Sequence, residues 1–299
     1  MMRPDWIAVD WGTSNVRAWA MSAQGAVLDR TQSPKGMASL TRDAFEPALI
    51  EMIGPWLQGP ATVIACGMVG ARQGWIEAPY ATTPCAPLPA GLITAPTTTP
   101  GLTVRIIPGI RQNSPADVMR GEETQIAGFV AQNPGWDGVL CLPGTHTKWV
   151  QISASEVVSF QTFMTGELFA TIGTQTVLRH SVATEGWDDA AFAQALADSM
   201  ARPERMAARM FSLRAESLLH ALPGASARAR LSGLLIGAEL AGARPYWLGQ
   251  QIAIIGAGTV ARLYQSALAN QSAPATLADA ESVTLAGLNA AWAGQREAA

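Results

Sequence analysis

The sequence predicts an α/β protein built from two similar domains, and three observations carry that expectation. A strand–polar turn–strand unit near the N-terminus returns at mid-chain, with Gly144-Thr145 falling 132 residues after Gly12-Thr13. The chain's 299 residues leave room for about two domains of ordinary size. Hydrophobic residues make up 48% of the chain, enough to fill a large core and to exclude a disordered protein.

Trp6 to Val9 is a short apolar run and reads as a strand. Asp10-Trp11-Gly12-Thr13-Ser14-Asn15 is a tight turn, Val16 to Met21 a second strand, and Ala26 to Arg30 a third after the Ala23-Gln24-Gly25 turn. Phe45, Leu49, Met52, Ile53 and Trp56 share one face of a helix over about Arg42 to Leu57. Ala61 to Cys66 reads as a buried strand running into Gly67-Met68-Val69-Gly70. Residues 79–101, rich in Pro and Thr, read as a long irregular loop. The repeat then spans 139–158, with the turn at Ala154-Ser155-Glu156 matching the one at Ala23-Gln24. Helical periodicity covers Leu168–His180, Ala190–Met200, Pro203–Leu222 and Ala227–Ala241. Gln251 to Ile255 is a strand, Gly256-Ala257-Gly258 a turn, and Thr259 to Asn270 a helix, with a last helix over about Glu281 to Trp292.

Composition excludes several classes. A net charge of −3 and a pI near 5.7 argue against a nucleic-acid binder, which needs basic stripes. The apolar stretches are too short or too interrupted to span a membrane, and the first ten residues lack a secretory pattern. Cys66, Cys85 and Cys141 are odd in number and widely spaced, so neither a disulfide framework nor a metal site is expected. These features point to a cytoplasmic protein, and a homodimer is compatible with them.

The Gly-Thr turns carry the chemistry. A glycine-rich turn between strands exposes N–H groups and hydroxyls suited to phosphate oxygens. The first offers Gly12, Thr13, Ser14 and Asn15; the second offers Gly144, Thr145, His146, Thr147 and Lys148. Asp10 ends its strand beside the first. A carboxylate near a triphosphate calls for a divalent cation between them, and Mg²⁺, which keeps most of its waters, needs few protein ligands. Asp10 is therefore the expected Mg²⁺ anchor, through water. Gly256-Ala257-Gly258, with Asp279 downstream, matches a dinucleotide fingerprint; such a turn can equally pack against an adenine and ribose, or hold no ligand.

A strand–Asp-x-Gly-Thr–strand hairpin, a second Gly-Thr hairpin and a late Gly-x-Gly turn, in that order, resemble the actin/hexokinase/Hsp70 superfamily. The resemblance implies two similar ribonuclease H-like domains with a nucleotide cleft between them. It makes the two hairpins the phosphate loops and Gly256, Ala257 and Gly258 the adenosine loop, with ATP and Mg²⁺ as cofactors. Domain limits follow at 1–110 and 111–299. A narrower resemblance rests on five blocks: Ser33–Met37, Gly67–Trp75, Met119–Gln125, Leu142–Trp149 and Thr162–Phe169. As a set they are similar to the 2-dehydro-3-deoxygalactonokinase family, which implies transfer of phosphate from ATP to the 6-hydroxyl of a sugar acid in galactonate catabolism. A phosphohydrolase or another sugar kinase of the same fold is the alternative.

Phosphoryl transfer to a hydroxyl needs a base, usually a carboxylate. Related sugar kinases place an Asp in a turn about twenty residues before the second phosphate loop, and here Gly144 lies 23 residues after Gly121. That resemblance implies Glu122 as base, with Glu123 second and Asp117 as rival; both glutamates also suit the first turn of a helix. The substrate carboxylate calls for Arg. Arg72, beside Gln73 and Trp75, leads; Arg111 and Arg120 are further candidates whose other reading is a surface charge. Lys35, with Gly36 and Met37, occupies a turn that can reach a carboxylate or phosphate.

Overall fold

The structure, a computed structural model, describes residues 3–297. In chain order its elements are β1 (Trp6–Trp11), β2 (Val16–Met21), β3 (Val27–Ser33), α1 (Phe45–Ile53), β4 (Ala61–Gly67), β5 (Tyr80–Thr82), β6 (Ile93–Thr94), β7 (Leu102–Ile106), β8 (Gly109–Asn113), β9 (Ala116–Met119), α2 (Glu122–Gln132), β10 (Gly138–Leu142), β11 (Thr147–Ser153), β12 (Glu156–Phe163), α3 (Thr165–Gln175), α4 (Asp189–Ala201), α5 (Met206–Leu219), α6 (Gly224–Gly242), α7 (Arg244–Trp247), β13 (Ile252–Ile255), α8 (Gly258–Ala269), β14 (Ala275–Ala278) and α9 (Ala280–Glu297). Backbone contacts divide the chain into two compact units. One holds the residues up to Asp137, Ile152–Ser159 and those from Ala278 on; the other holds Gly138–Gln151 and Phe160–Leu277. The first unit runs past residue 110, because β9 pairs with β8 and α2 packs on α9.

In the first unit the sheet order is β3-β2-β1-β4-β7-β6. β1, β2 and β3 are antiparallel neighbours, whereas β4 runs parallel to β1 and β7 parallel to β4. Strand alternation sends Ile7, Val9 and Trp11 to one face, against Phe45, Leu49 and Ile53 of α1. Trp6 and Ala8 go to the other, against Leu288 and Ala291 of α9. Both faces are covered, so β1 reads as a continuous apolar run. The expected helix over 42–57 is divided: a 3₁₀ turn precedes α1, and another follows at Gly54–Trp56, where Pro55 cannot continue the helix.

α2 and α9 cross at two glycines. A β-carbon on Gly128 would sit 1.8 Å from the Val283 carbonyl oxygen, and one on Gly287 would sit 1.9 Å from that of Thr124. Helices can approach this closely only where neither carries a side chain.

The five-stranded sheet has the order β12-β11-β10-β13-β14, with β13 parallel to β10. β10, β11 and β12 reproduce β1, β2 and β3, as the repeat predicted, and both sheets have the expected ribonuclease H-like plan. A three-stranded sheet, β5-β8-β9, was not foreseen, and residues 79–101 contain β5 and β6. Strands of two or three residues are too short to show alternation. No helix among the described residues is long and apolar enough to cross a membrane.

Candidate active site

In the first unit, the polar residues gather at the carboxyl ends of β1 and β4. The turn between β1 and β2 closes through the Gly12 N–H donating to the Asn15 carbonyl at 2.8 Å. Thr13, Ser14 and Asn15 are exposed while the flanking strands are buried. The Lys35–Met37 segment lies against this turn: Met37 N–H donates to Gly12 at 3.0 Å and Ala38 N–H to Thr13 at 2.9 Å. A β-carbon on Gly36 would sit 2.3 Å from the Thr13 carbonyl oxygen, so only glycine fits there. The Lys35 ammonium pairs with Glu51.

Asp10 is half-buried and accepts from Arg17 Nη2 at 2.6 Å. Its other oxygen lies 3.8 Å from the Cys66 thiol. Gly67 (φ +89°) and Gly121 (φ +106°) bring the end of β4 against the start of α2, a β-carbon on Gly121 falling 3.3 Å from Gly67 Cα. Glu122 is half-buried and accepts the Arg120 N–H at 3.0 Å. Glu123 is wholly buried and accepts the Gly121 N–H at 2.6 Å. Burial, reinforced by the Glu122 charge, pushes the Glu123 carboxyl up to about 8. Asp117 sits on β9 opposite Gln112, its carboxylate accepting the Val118 N–H at 2.8 Å.

The expected sugar-acid residues fall in different settings. Arg72 and Gln73 are exposed on one turn. Trp75 is core: it is 3% exposed, packs against Trp11 and Phe45, and donates to the Pro96 carbonyl at 3.1 Å. Its ring therefore offers no face to a sugar. Arg111 is exposed and donates to Thr82 at 2.9 Å. Arg120 is interior, not a surface charge: its guanidinium stacks on Tyr80 at 4.2 Å and donates to the Ala78 carbonyl at 2.8 Å. Its Nε and Nη1 are buried without a hydrogen-bond partner among the described residues.

In the second unit, Gly144, Thr145 and His146 form an exposed turn between β10 and β11. α3 starts directly on it. A β-carbon on Gly166 would sit 2.2 Å from the Gly144 carbonyl oxygen. Glu167 N–H donates to the Thr145 carbonyl at 3.0 Å, and its carboxylate meets His146 Nε2 at 2.5 Å. Thr147 and Lys148 depart from expectation. They belong to the buried start of β11, where alternate side chains enter opposite covered faces. Thr147 is bonded to Tyr264 at 3.1 Å and Lys148 to Thr162 at 2.9 Å, so neither side chain belongs to the exposed turn.

Gly256, Ala257 and Gly258 form the turn between β13 and α8, with Gly258 at φ +69°. This turn and the second hairpin line the same cavity, of about 960 Å³, which is in the size range of sites for nucleotide-sized ligands. Pro143, Gly144 and Thr145 form one wall, Ala257, Thr259 and Tyr264 another. Trp187 and Phe169 add apolar surface, and Arg228 lies 5.2 Å over the Phe169 ring. Asp279, the acidic residue of the dinucleotide pattern, accepts the Ser282 N–H at 2.8 Å, a helix cap of α9.

The family model for 2-keto-3-deoxy-galactonokinase matches residues 10–291. The chain belongs to the 2-keto-3-deoxy-galactonokinase family. A protein of Rhizobium meliloti (strain 1021) described as a probable 2-dehydro-3-deoxygalactonokinase is 41% identical over 294 residues, 95% of each chain. The 2-dehydro-3-deoxygalactonokinase of Escherichia coli (strain K12) is 32% identical over 290 residues, covering 96% of this chain and 97% of the relative. A crystal structure of a Sinorhizobium meliloti protein, described as a putative 2-dehydro-3-deoxygalactonokinase, superposes with a TM-score of 0.91 at 39% identity, over 97% of this chain and 99% of that one. The activator of the 2-hydroxyisocaproyl-CoA dehydratase from Clostridium difficile, with bound ADPNP, shares the fold at 9% identity, with a TM-score of 0.50 over 98% of this chain and 96% of that one.

The five family blocks now have places. Ser33–Met37 lies on the first hairpin, Gly67–Trp75 ends β4, Met119–Gln125 starts α2, Leu142–Trp149 is the second hairpin, and Thr162–Phe169 braces it. Sequence reasoning passed over Arg17, although it stands opposite Asp10 in the hairpin register. Glu167 lies inside the Thr162–Phe169 block, which assigns it no role. Sequence reasoning also passed over Glu239, the lone charge in the apolar second half of α6; that isolation was the available signal.

Proposed function

We propose that this protein transfers the γ-phosphoryl group of ATP to the 6-hydroxyl of 2-dehydro-3-deoxy-D-galactonate, giving the 6-phosphate and ADP, as a step in D-galactonate catabolism. Membership of the kinase family along residues 10–291 is the observation that carries this reading. Two exposed Gly-Thr turns on repeated hairpins, each braced by a following segment, support it.

The residues divide the work. Each hairpin tip presents N–H and hydroxyl donors to phosphate oxygens: Thr13, Ser14 and Asn15 in the first unit, on the turn that Gly12 closes and where it lets the backbone approach, and Gly144, Thr145 and His146 in the second. The cavity beside Gly256, Ala257 and Gly258 takes the adenosine. Asp10, a half-buried carboxylate beside an exposed polar turn, suits Mg²⁺ held through water. When bound, that ion neutralises the charge on the phosphates. Glu122 takes the hydroxyl proton as the sugar oxygen bonds to phosphorus, and ADP leaves with the electron pair of the broken P–O bond. Glu123, whose carboxyl burial raises to about 8, is mostly protonated at neutral pH and so is not placed to accept the hydroxyl proton. Arg72, exposed and unconstrained by core packing, receives the substrate carboxylate, with Lys35 and Arg111 as alternates. Use of ATP as the phosphoryl donor supports a cytoplasmic setting.

The test is a coupled ADP-release assay with Mg·ATP and 2-dehydro-3-deoxygalactonate, its gluco epimer, or no acceptor. Release with the galacto acid alone is expected. Release without any acceptor would replace the kinase with a phosphohydrolase, and no release at all would reject both.

A further inference from the structure

We propose that Glu239 is a positioning residue of the nucleotide site: one interior carboxylate that ties the second hairpin, the start of α3 and α8 into a single arrangement around the cavity. The inference rests on reading that cavity as the site of ATP.

Glu239 is 2% exposed, on a stretch of α6 otherwise made of Leu, Ile, Ala, Gly and Ser. A carboxylate in such a place is costly unless hydrogen bonds satisfy it. Here three donors converge from three other elements. Trp149 of β11 donates Nε1–H to Oε1 at 2.8 Å. Tyr264 of α8 donates its hydroxyl to Oε2 at 2.6 Å. Thr165, the first residue of α3, donates its hydroxyl to the same oxygen. Thr147, just after the hairpin tip, joins through Tyr264 at 3.1 Å.

These donors are not scattered through the core. Thr165 and Tyr264 themselves line the cavity. Gly166, next to Thr165, is the residue pressed against Gly144. Trp149 and Thr147 belong to the strand that leaves the hairpin. Tyr264 stands on the helix whose first residue is Gly258. Removing the carboxylate therefore frees the phosphate-side turn and the adenosine-side turn to move independently. Preorganised groups bind more tightly because less order must be imposed on binding.

The experiment combines calorimetric Kd for Mg·ATP without sugar acid, separate KM values for ATP and for the sugar acid, and Tm. Four variants are compared: Glu239→Gln, Glu239→Leu, Thr165→Val and Tyr264→Phe. Thr165→Val and Tyr264→Phe should each weaken Mg·ATP about five- to tenfold, with sugar-acid KM within twofold of wild type. Glu239→Leu should weaken it more than tenfold, and Glu239→Gln, whose carbonyl still accepts from Trp149 and whose two amide N–H groups can donate to the turned Thr165 and Tyr264 hydroxyls, should recover most of the affinity. If Glu239→Leu does not fold, the two hydroxyl variants decide. Lower Tm with unchanged nucleotide Kd in all folded variants would reduce Glu239 to a core residue and overturn the proposal, as would equal shifts in both KM values. A wild-type protein that binds Mg·ATP but does not phosphorylate the sugar acid would reject the substrate reading alone, since the calorimetric comparison judges Glu239 without it.

Discussion

Gly128 of α2 and Val283 of α9 meet backbone to backbone, with space for a β-carbon only 1.8 Å from a carbonyl oxygen. The contact matters because α2 carries Glu122 and Glu123 in its first turn. Gly128→Ala or Gly287→Ala must push the helices apart, at a cost of about 3 kcal/mol. Each should lower the denaturation midpoint and, by tilting the acidic turn, lower kcat. Gly294→Ala, on the same helix with nothing within 4 Å, should stabilise by up to about 1 kcal/mol. Equal effects at 287 and 294 would show that propensity, not contact, governs α9.

Glu122→Gln should lower kcat about 10²- to 10⁴-fold, with the Kd for Mg·ATP held. Asp117→Asn should leave kcat within about threefold, because that carboxylate is occupied with a neighbouring N–H on a separate small sheet. Steady-state kinetics with calorimetry separates the outcomes. Full turnover by Glu122→Gln would pass the role of base to another carboxylate.

Glu123 gives stability a dependence on pH. Its carboxyl is raised to about 8 in the folded protein from an ordinary value of 4.5. Between these values the folded protein holds a proton that the unfolded chain has released. Stability therefore falls as pH rises through that window and levels off above it. Urea midpoints taken from pH 5 to 9 should decline more steeply for the wild type than for Glu123→Gln, and parallel curves would contradict the assignment.

Trp75→Ala should cost about 3–5 kcal/mol of stability, since the ring is packed between Trp11 and Phe45. In Trp75→Leu, which keeps more volume, the sugar-acid KM should stay near wild type. Arg72→Ala, on the exposed turn three residues earlier, should raise that KM about tenfold or more without moving Tm. A large KM change in Trp75→Leu would return the indole to the substrate site.

Both hairpins were legible because glycine, small polar residues and flanking apolar runs are local signals, and the structure kept their boundaries within a few residues. Side-chain direction was not. Trp75 shares a short segment with Arg72 and Gln73, yet only distant Phe45 and Pro96 decide that it turns inward. Thr147 and Lys148 look like the end of a polar turn; they are the first residues of a strand whose two faces are covered by segments far along the chain. Arg120 reads as a surface cation until Tyr80 and Ala78 are folded against it. Glu239 stands out in its apolar helix, but its donors come from three separate stretches that no spacing rule connects.

The seat of α2 is supplied by the last helix, so the first unit is not finished when its own strands are made. On the ribosome, Glu122 and Glu123 emerge well before Val283 and Gly287, and the whole of the second unit is translated in between. A nascent chain therefore carries the acidic turn undocked while the second unit is being made. The acidic turn gains its seat only once Val283 and Gly287 have been made, which couples the docking of α2 to translation of the second unit.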